Sequence, residues 1–177
     1  MKLCIIGLGK IGTAMVQGIL NSGLYTKDEL IGCDINADNI KNNDNYGGIQ
    51  TTSSNIKGVK KAEAVLLAVK PQVIDYVLEE ISEDVKGKLV ISIAAGISNS
   101  HLKEKLPLDV RTIRVMPNTP VLVKSGISAI AAGRNATKED VKLVNKIFSG
   151  VGEVVEVKED LMDAITGLSG SGPAFIY

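Results

Sequence analysis

The chain has 177 residues, 45% of them hydrophobic, and its 20 basic residues balance 20 acidic ones. That is enough apolar material for one well-cored domain with an appendage, and the charge balance offers no field to recruit nucleic acid or an anionic membrane, so a small-molecule partner is expected. The apolar runs AVLLAV and LVISIAAGI fall short of the roughly 20 residues a membrane-spanning helix needs, and the start is unlike a secretory signal, which makes the cytoplasm the expected compartment.

The first predicted strand, KLCII (residues 2 to 6), runs straight into GLGKIG, and the pattern TAMVQGIL that follows carries Ile11, Met15 and Ile19 at helical spacing. Gly7, Gly9 and Gly12 stand in G-x-G-x-x-G spacing. In that fingerprint the first glycine permits a tight turn, the second lets main chain approach a pyrophosphate, and the third lets helix pack on strand. Amides at the helix start then face the phosphates. The second strand, ELIGC (29 to 33), ends at Asp34, about 20 residues on, where the fingerprint expects an acid for the adenosine ribose hydroxyls. A carboxylate there favours NAD and repels the 2′-phosphate of NADP. The alternatives are that Asp34 caps the following turn, or that Lys41 or another loop cation meets a phosphate. Cys4 and Cys33, the two cysteines, each sit in an apolar strand-like run and are read as packing rather than as a disulfide or metal site; no metal is expected.

The stretch from Ala37 to Asn55 is polar and Asn-rich, and reads as a loosely structured crossover with at most short elements. Further strands are predicted at AEAVLLAV (62 to 69), KLVISIA (88 to 94), VRTIRVM (110 to 116), ISAIAA (127 to 132) and EVVEV (153 to 157). Helical spacing recurs at Val73, Val77 and Ile81, and again at Val141, Val144, Ile147 and Phe148, with Pro71 and Thr137 at the helix starts. Such alternation calls for an α/β fold, a Rossmann-like doubly wound and mostly parallel sheet with helices on both faces. His101, in a polar helix start, reads as a surface residue. Glu159 and Asp163 lie four apart and read as a solvated helical face. The closing TGLSGSGPAFIY, with Ser171-Gly172-Pro173 as a helix entrance, reads as an element cut short.

AVKPQ (Ala68, Val69, Lys70, Pro71), SIAAGIS, RVMPNTP and TGLSGSGPA, in that order along the chain, together resemble pyrroline-5-carboxylate reductase. The resemblance implies a dinucleotide domain over residues 1–158 and, over 159–177, a connecting segment and the first turn of a truncated helical dimerisation domain. The whole protein would be a homo-oligomer and the fragment a monomer of little activity. It implies NAD(P)H as cofactor and 1-pyrroline-5-carboxylate as substrate. Carried over residue by residue, Ile6, Gly7, Leu8, Gly9, Lys10, Ile11 and Gly12 would wrap the pyrophosphate, Asp34 would lie by the ribose, and Asn55 would touch the cofactor. Ala68, Val69, Lys70 and Pro71 would line the groove, Ala94, Ala95 and Gly96 would approach the nicotinamide, and Asn118 would lie near the nicotinamide end. Glu159 and the turn of Ser169, Gly170, Ser171 and Gly172 would meet the substrate, the turn acting as an anion nest. Lys70 and Asn118 have equally good bland readings, a solvated strand end and a turn residue. A hydroxyacid-type dehydrogenase and a non-catalytic nucleotide-sensing module are the alternatives.

Overall fold

The computed structural model describes residues 1–41 and 46–170. Four short strands form its centre: β1 (Leu3–Ile6), β2 (Leu30–Cys33), β4 (Ala64–Leu67) and β5 (Leu89–Ser92), each buried along its whole length. Their unbroken apolar runs are what a parallel strand covered on both faces requires. β3 (Gln50–Thr52) pairs with β2 at one edge, while β6 (Arg111–Pro117), β7 (Gly126–Ala132) and β8 (Gly152–Glu156) extend the other. The order is β3-β2-β1-β4-β5-β6-β7-β8, an eight-stranded sheet among the described residues. All neighbours run parallel except β6 and β7. That reversal is made by the short return through Thr119–Val123, closed by Lys124 in the left-handed region. β3 is the strand the sequence pattern concealed, because a three-residue polar edge strand has no apolar alternation to read.

Alternate side chains of each strand feed two cores. Leu3 and Ile5 pack with Met15, Val16 and Ile19 of α1 (Lys10–Asn21) and with Val144, Ile147 and Phe148 of α6 (Lys138–Ser149). Cys4 and Ile6 pack on the other face with Val59 of α3 (Asn55–Lys60), Ile74, Val77, Leu78 and Ile81 of α4 (Ile74–Ile81), and Leu102 of α5 (Asn99–Lys105). Thr137 caps α6 through a reciprocal pair with Asp140: the Asp140 amide donates to Thr137 Oγ1 at 3.1 Å, and the Thr137 amide to Asp140 Oδ2 at 2.9 Å. Pro71 opens a single 3-10 turn ahead of α4. Cys4 and Cys33 are buried free thiols with their sulfurs 3.5 Å apart.

After β8 the chain turns back over the sheet. Glu159–Leu161, α7 (Met162–Ile165) and a wide π turn at Thr166–Gly170 lie across β6 and β7, with Met162 buried against Ala129 and Ala131 beside Met116. The predicted helix entrance at Ser171-Gly172-Pro173 falls outside the described residues. Among those described, no helix is long and apolar enough to cross a membrane.

Candidate dinucleotide site

β1 neighbours β2 on one side and β4 on the other, so the chain leaving β1 emerges where the sheet order reverses, the place where open α/β sheets bind ligands. Gly7 makes the turn at φ +97°, and a Cβ there would stand 2.6 Å from the Ala68 carbonyl oxygen. Its amide donates to Cys33 O at 2.8 Å, tying the loop to β2. A Cβ on Gly12 would collide with the Gly7 carbonyl, so the third glycine sets how closely α1 sits on the turn. Around Gly9 the reverse holds: among the described residues nothing lies within 4 Å of the place its Cβ would take. Gly9 caps α1 without a side-chain hydrogen bond and no acidic residue occupies the first turn. The first intrahelical bond runs from Thr13 N to Gly9 O, so the amides before Thr13 have no partner within the helix and face an open space. Uncapped amides, an empty cradle and the positive end of a helix dipole are the donor set a diphosphate needs. The residues therefore fit a dinucleotide. Thr13, which the motif did not single out, braces this loop by donating its hydroxyl to Gly9 O at 2.8 Å and Leu8 O at 3.1 Å.

Asp34 lies directly after β2 and serves the loop and the turn together. Its Oδ2 accepts from the Leu8 amide at 2.7 Å and from Asn39 Nδ2 at 2.9 Å, while Oδ1 accepts from the Asn36 amide at 2.8 Å. The capping alternative is thus met, by a carboxylate that also braces the loop.

A groove of about 510 Å³ runs from this loop along the carboxyl ends of β4, β5 and β6. Gly9, Lys10 and Ile11 form one wall, Ala68 to Pro71 the floor, and Ala94 and Ala95 the next strand end. Ile93, Met116 and Pro117 complete it, three residues the motifs did not assign. Ile11 is 38% exposed because it stands at the groove mouth rather than in the core that its helical spacing implied. Lys70 is exposed at the rim. Ile6 and Leu8 are buried, so from them only main chain is available to a ligand. Gly96, at φ +76°, forms the bend beyond Ala95.

Other predicted residues lie elsewhere. Asn55 is buried at the start of α3 and donates its Nδ2 to Glu80 Oε2 at 2.7 Å, across to α4, leaving its Oδ1 without a partner. Asn118 is engaged as a turn residue, its Oδ1 accepting from the Ile127 amide at 2.9 Å. Asp163 is exposed, as a solvated face would have it, while Glu159 is half-buried. They grip Arg114, which is 3% exposed, with Nη1 to Glu159 Oε1 at 3.1 Å and Nη2 to Asp163 Oδ1 at 2.8 Å. Ser169 donates to Ile165 O at 3.1 Å, and a Cβ on Gly170 would strike the Met116 methyl. Ser171 and Gly172 lie outside the described residues. His101 is half-exposed and paired, with Nε2 2.5 Å from Asp75 Oδ1; this hydrogen bond holds the Asp75 carboxyl below its ordinary value.

A glycine-turned switch point, an uncapped helix start and an acid after β2 define a nicotinamide dinucleotide-binding domain of the oxidoreductase class. Residues 2–96 match the family described as NADP oxidoreductase, coenzyme F420-dependent. The chain is 43% identical over 177 residues to the pyrroline-5-carboxylate reductase of Methanosarcina acetivorans, covering 99% of this chain and 66% of that protein. Among solved structures it is similar to a pyrroline-5-carboxylate reductase from Coxiella burnetii, with 33% identity, a TM-score of 0.93, and coverage of 99% of this chain and 66% of that one. It is also similar to pyrroline carboxylate reductase of Plasmodium falciparum with NADP bound, with 34% identity, a TM-score of 0.89, and coverage of 100% and 65%. The chain belongs to this NADP oxidoreductase family. It spans just under two thirds of the length of these relatives.

Proposed function

We propose that this chain is the cofactor-binding part of an NAD(P)H-dependent pyrroline-5-carboxylate reductase, which reduces 1-pyrroline-5-carboxylate to L-proline. The observation that carries the reading is the continuity of the groove: it begins at the free amides of α1 and ends at Met116 and Pro117, beside the 159–170 segment. A reduced nicotinamide held here would supply the hydride for the C=N carbon, and an imine nitrogen that is already protonated would need no strong acid from the protein. The chain's own work is binding and orientation. Amides from Gly9 to Gly12 hold the diphosphate, Asp34 meets the adenosine ribose, and the strand ends at Ala68–Pro71 and Ala94–Ala95 support the nicotinamide. Ser169 and Gly170, at the end of the π turn, offer main-chain donors to the substrate carboxylate. Holding donor and acceptor face to face is the main source of rate in such a reaction.

NAD is the better fit over NADP. The Asp34 carboxylate, fixed by Leu8, Asn36 and Asn39, places a negative charge where a 2′-phosphate would have to sit. The test is a paired assay of the full-length protein: loss of NADH and of NADPH absorbance with pyrroline-5-carboxylate, and chromatographic detection of L-proline. Proline formed with both, and faster with NADH, is expected; no proline with either overturns the reading.

A further inference from the structure

The face of β6 and β7 turned away from α6 carries Arg114, Met116, Ala129 and Ala131, with Arg114 opposite Ala131 and Met116 opposite Ala129. The two alanines leave a hollow that Met162 fills. Such packing does not fix a register, because an unbranched thioether adapts to many seats. The base of the segment is pinned by polar contacts instead. Glu159 accepts from Arg114 with Oε1 at 3.1 Å, from the Asn99 amide with the same oxygen at 3.0 Å, and from Asn99 Nδ2 with Oε2 at 2.5 Å. Arg114 is 3% exposed and Asn99 8%. A buried arginine costs desolvation that an apolar residue would not, so it is weak evidence for stability and better evidence for a fixed arrangement.

What the arrangement fixes is legible from its neighbours. Asn99 begins α5 directly after Ser98, whose side chain caps that helix, and the loop from Ile93 to Ala95 before it is groove wall. Met116, two residues along the same strand face from Arg114, is also groove wall, and its methyl abuts Gly170. We propose that Arg114, Glu159 and Asn99 are positioning residues: they lock the 159–170 segment to both groove walls, so that its tip is held at a set height over the rim where the hydride is transferred. The proposal rests on the functional reading above. The three act through Met116, Gly170 and the loop before α5.

The test uses the full-length protein and steady-state kinetics with reduced dinucleotide and pyrroline-5-carboxylate. Glu159→Gln keeps one acceptor oxygen and removes the charge. It should lower kcat by about tenfold to a hundredfold, as small misplacements do, while KM for the dinucleotide stays within about twofold of wild type. Asp140→Asn is the stability control. It weakens the Arg111 pair (3.2 Å) and the α6 cap without touching the segment, and should leave kcat within about twofold. An unchanged kcat in Glu159→Gln overturns the proposal, as does a loss shared equally by kcat and dinucleotide affinity, or the same kcat loss in Asp140→Asn. Should Glu159→Gln fail to fold, Asn99→Ser, which keeps the main-chain donor and deletes only the side-chain arm, is read by the same two parameters and decides. A wild-type protein that makes no proline overturns the functional reading itself; an active one whose variants keep kcat overturns only the junction.

Discussion

The loop after β1 and the face of β6 and β7 are both built from small residues, and they use the vacancy in opposite ways. At the loop, Gly9 opens onto space that no described residue fills, and among the described residues no side chain caps the helix amides behind it. On β7, Ala129 and Ala131 open a hollow that the chain fills itself with Met162, sealed at one end by Arg114 between two carboxylates. Where main-chain donors are left free, the missing side chains make room for a ligand; where polar groups are already paired, they make room for the protein. Small residues alone do not distinguish a site from a seam, and the state of the nearby hydrogen-bonding groups does.

The sharpest way to break this comparison is to fill the loop. In Gly12→Val the new Cβ meets the Gly7 carbonyl, which is main chain and cannot rotate aside. We expect dinucleotide affinity to fall by about a hundredfold, roughly 3 kcal/mol, in a calorimetric titration. Binding near the wild-type level would show that the loop is not the phosphate site. Next comes the seam. Glu159→Ala strands a buried guanidinium with only the exposed Asp163 for company, and after discount for the partial exposure of Glu159 it should cost about 2 kcal/mol in denaturant unfolding. Asp163→Ala should cost less than about 1 kcal/mol; equal costs would mean that Glu159 has no special place in the junction.

Smaller effects sharpen the picture. Asp34→Ser removes the charge beside the ribose position and should shift the ratio of NADH to NADPH affinity about tenfold toward NADPH; an unchanged ratio would transfer the choice to another residue. The Cys4 thiol is raised well above its ordinary value by its hydrogen bond to Cys33 and by burial. Neither cysteine should react with a disulfide reagent at pH 8 until the protein unfolds, and rapid labelling of the native chain would contradict the packing. The smallest effect lies in neither region. Because the His101 hydrogen bond depresses the folded Asp75 value, the pair's contribution is fully present above the unfolded value of about 3.9 and is lost as pH falls through the depressed one. The Tm difference between wild type and Asp75→Asn should therefore close on acidification below about pH 4; a difference that persists there would rule out the linkage.

The contrast between the two regions also marks what the amino-acid sequence discloses. The turn at Gly7, Gly9 and Gly12 and the place of Asp34 after β2 are readable because local spacing around one strand–turn–helix unit sets them. Ala68 to Pro71, Ala94 and Ala95, which the resemblance implies, line the groove at the strand ends. β3 is invisible because Gln50, Thr51 and Thr52 form a polar edge, and the antiparallel turn into β7 puts Lys124 rather than a glycine in the left-handed position. Arg114 is the clearest miss. It lies 45 residues from Glu159 and 49 from Asp163, so no periodicity links them, and the two acids look like any solvated helical pair until the sheet supplies their cation. Asn118 and Asn55 were chosen by resemblance, and their side-chain partners, Ile127 and Glu80, are tertiary facts.

The most direct measurement is a crystal structure of this 177-residue chain grown with NADH. The account predicts the diphosphate against the amides of Gly9 to Gly12, the adenosine ribose beside Asp34, and the nicotinamide over Ala94 and Ala95 toward Met116. Electron density for the dinucleotide elsewhere on the sheet, or a loop closed by its own side chains with the cofactor absent at saturating concentration, would contradict it.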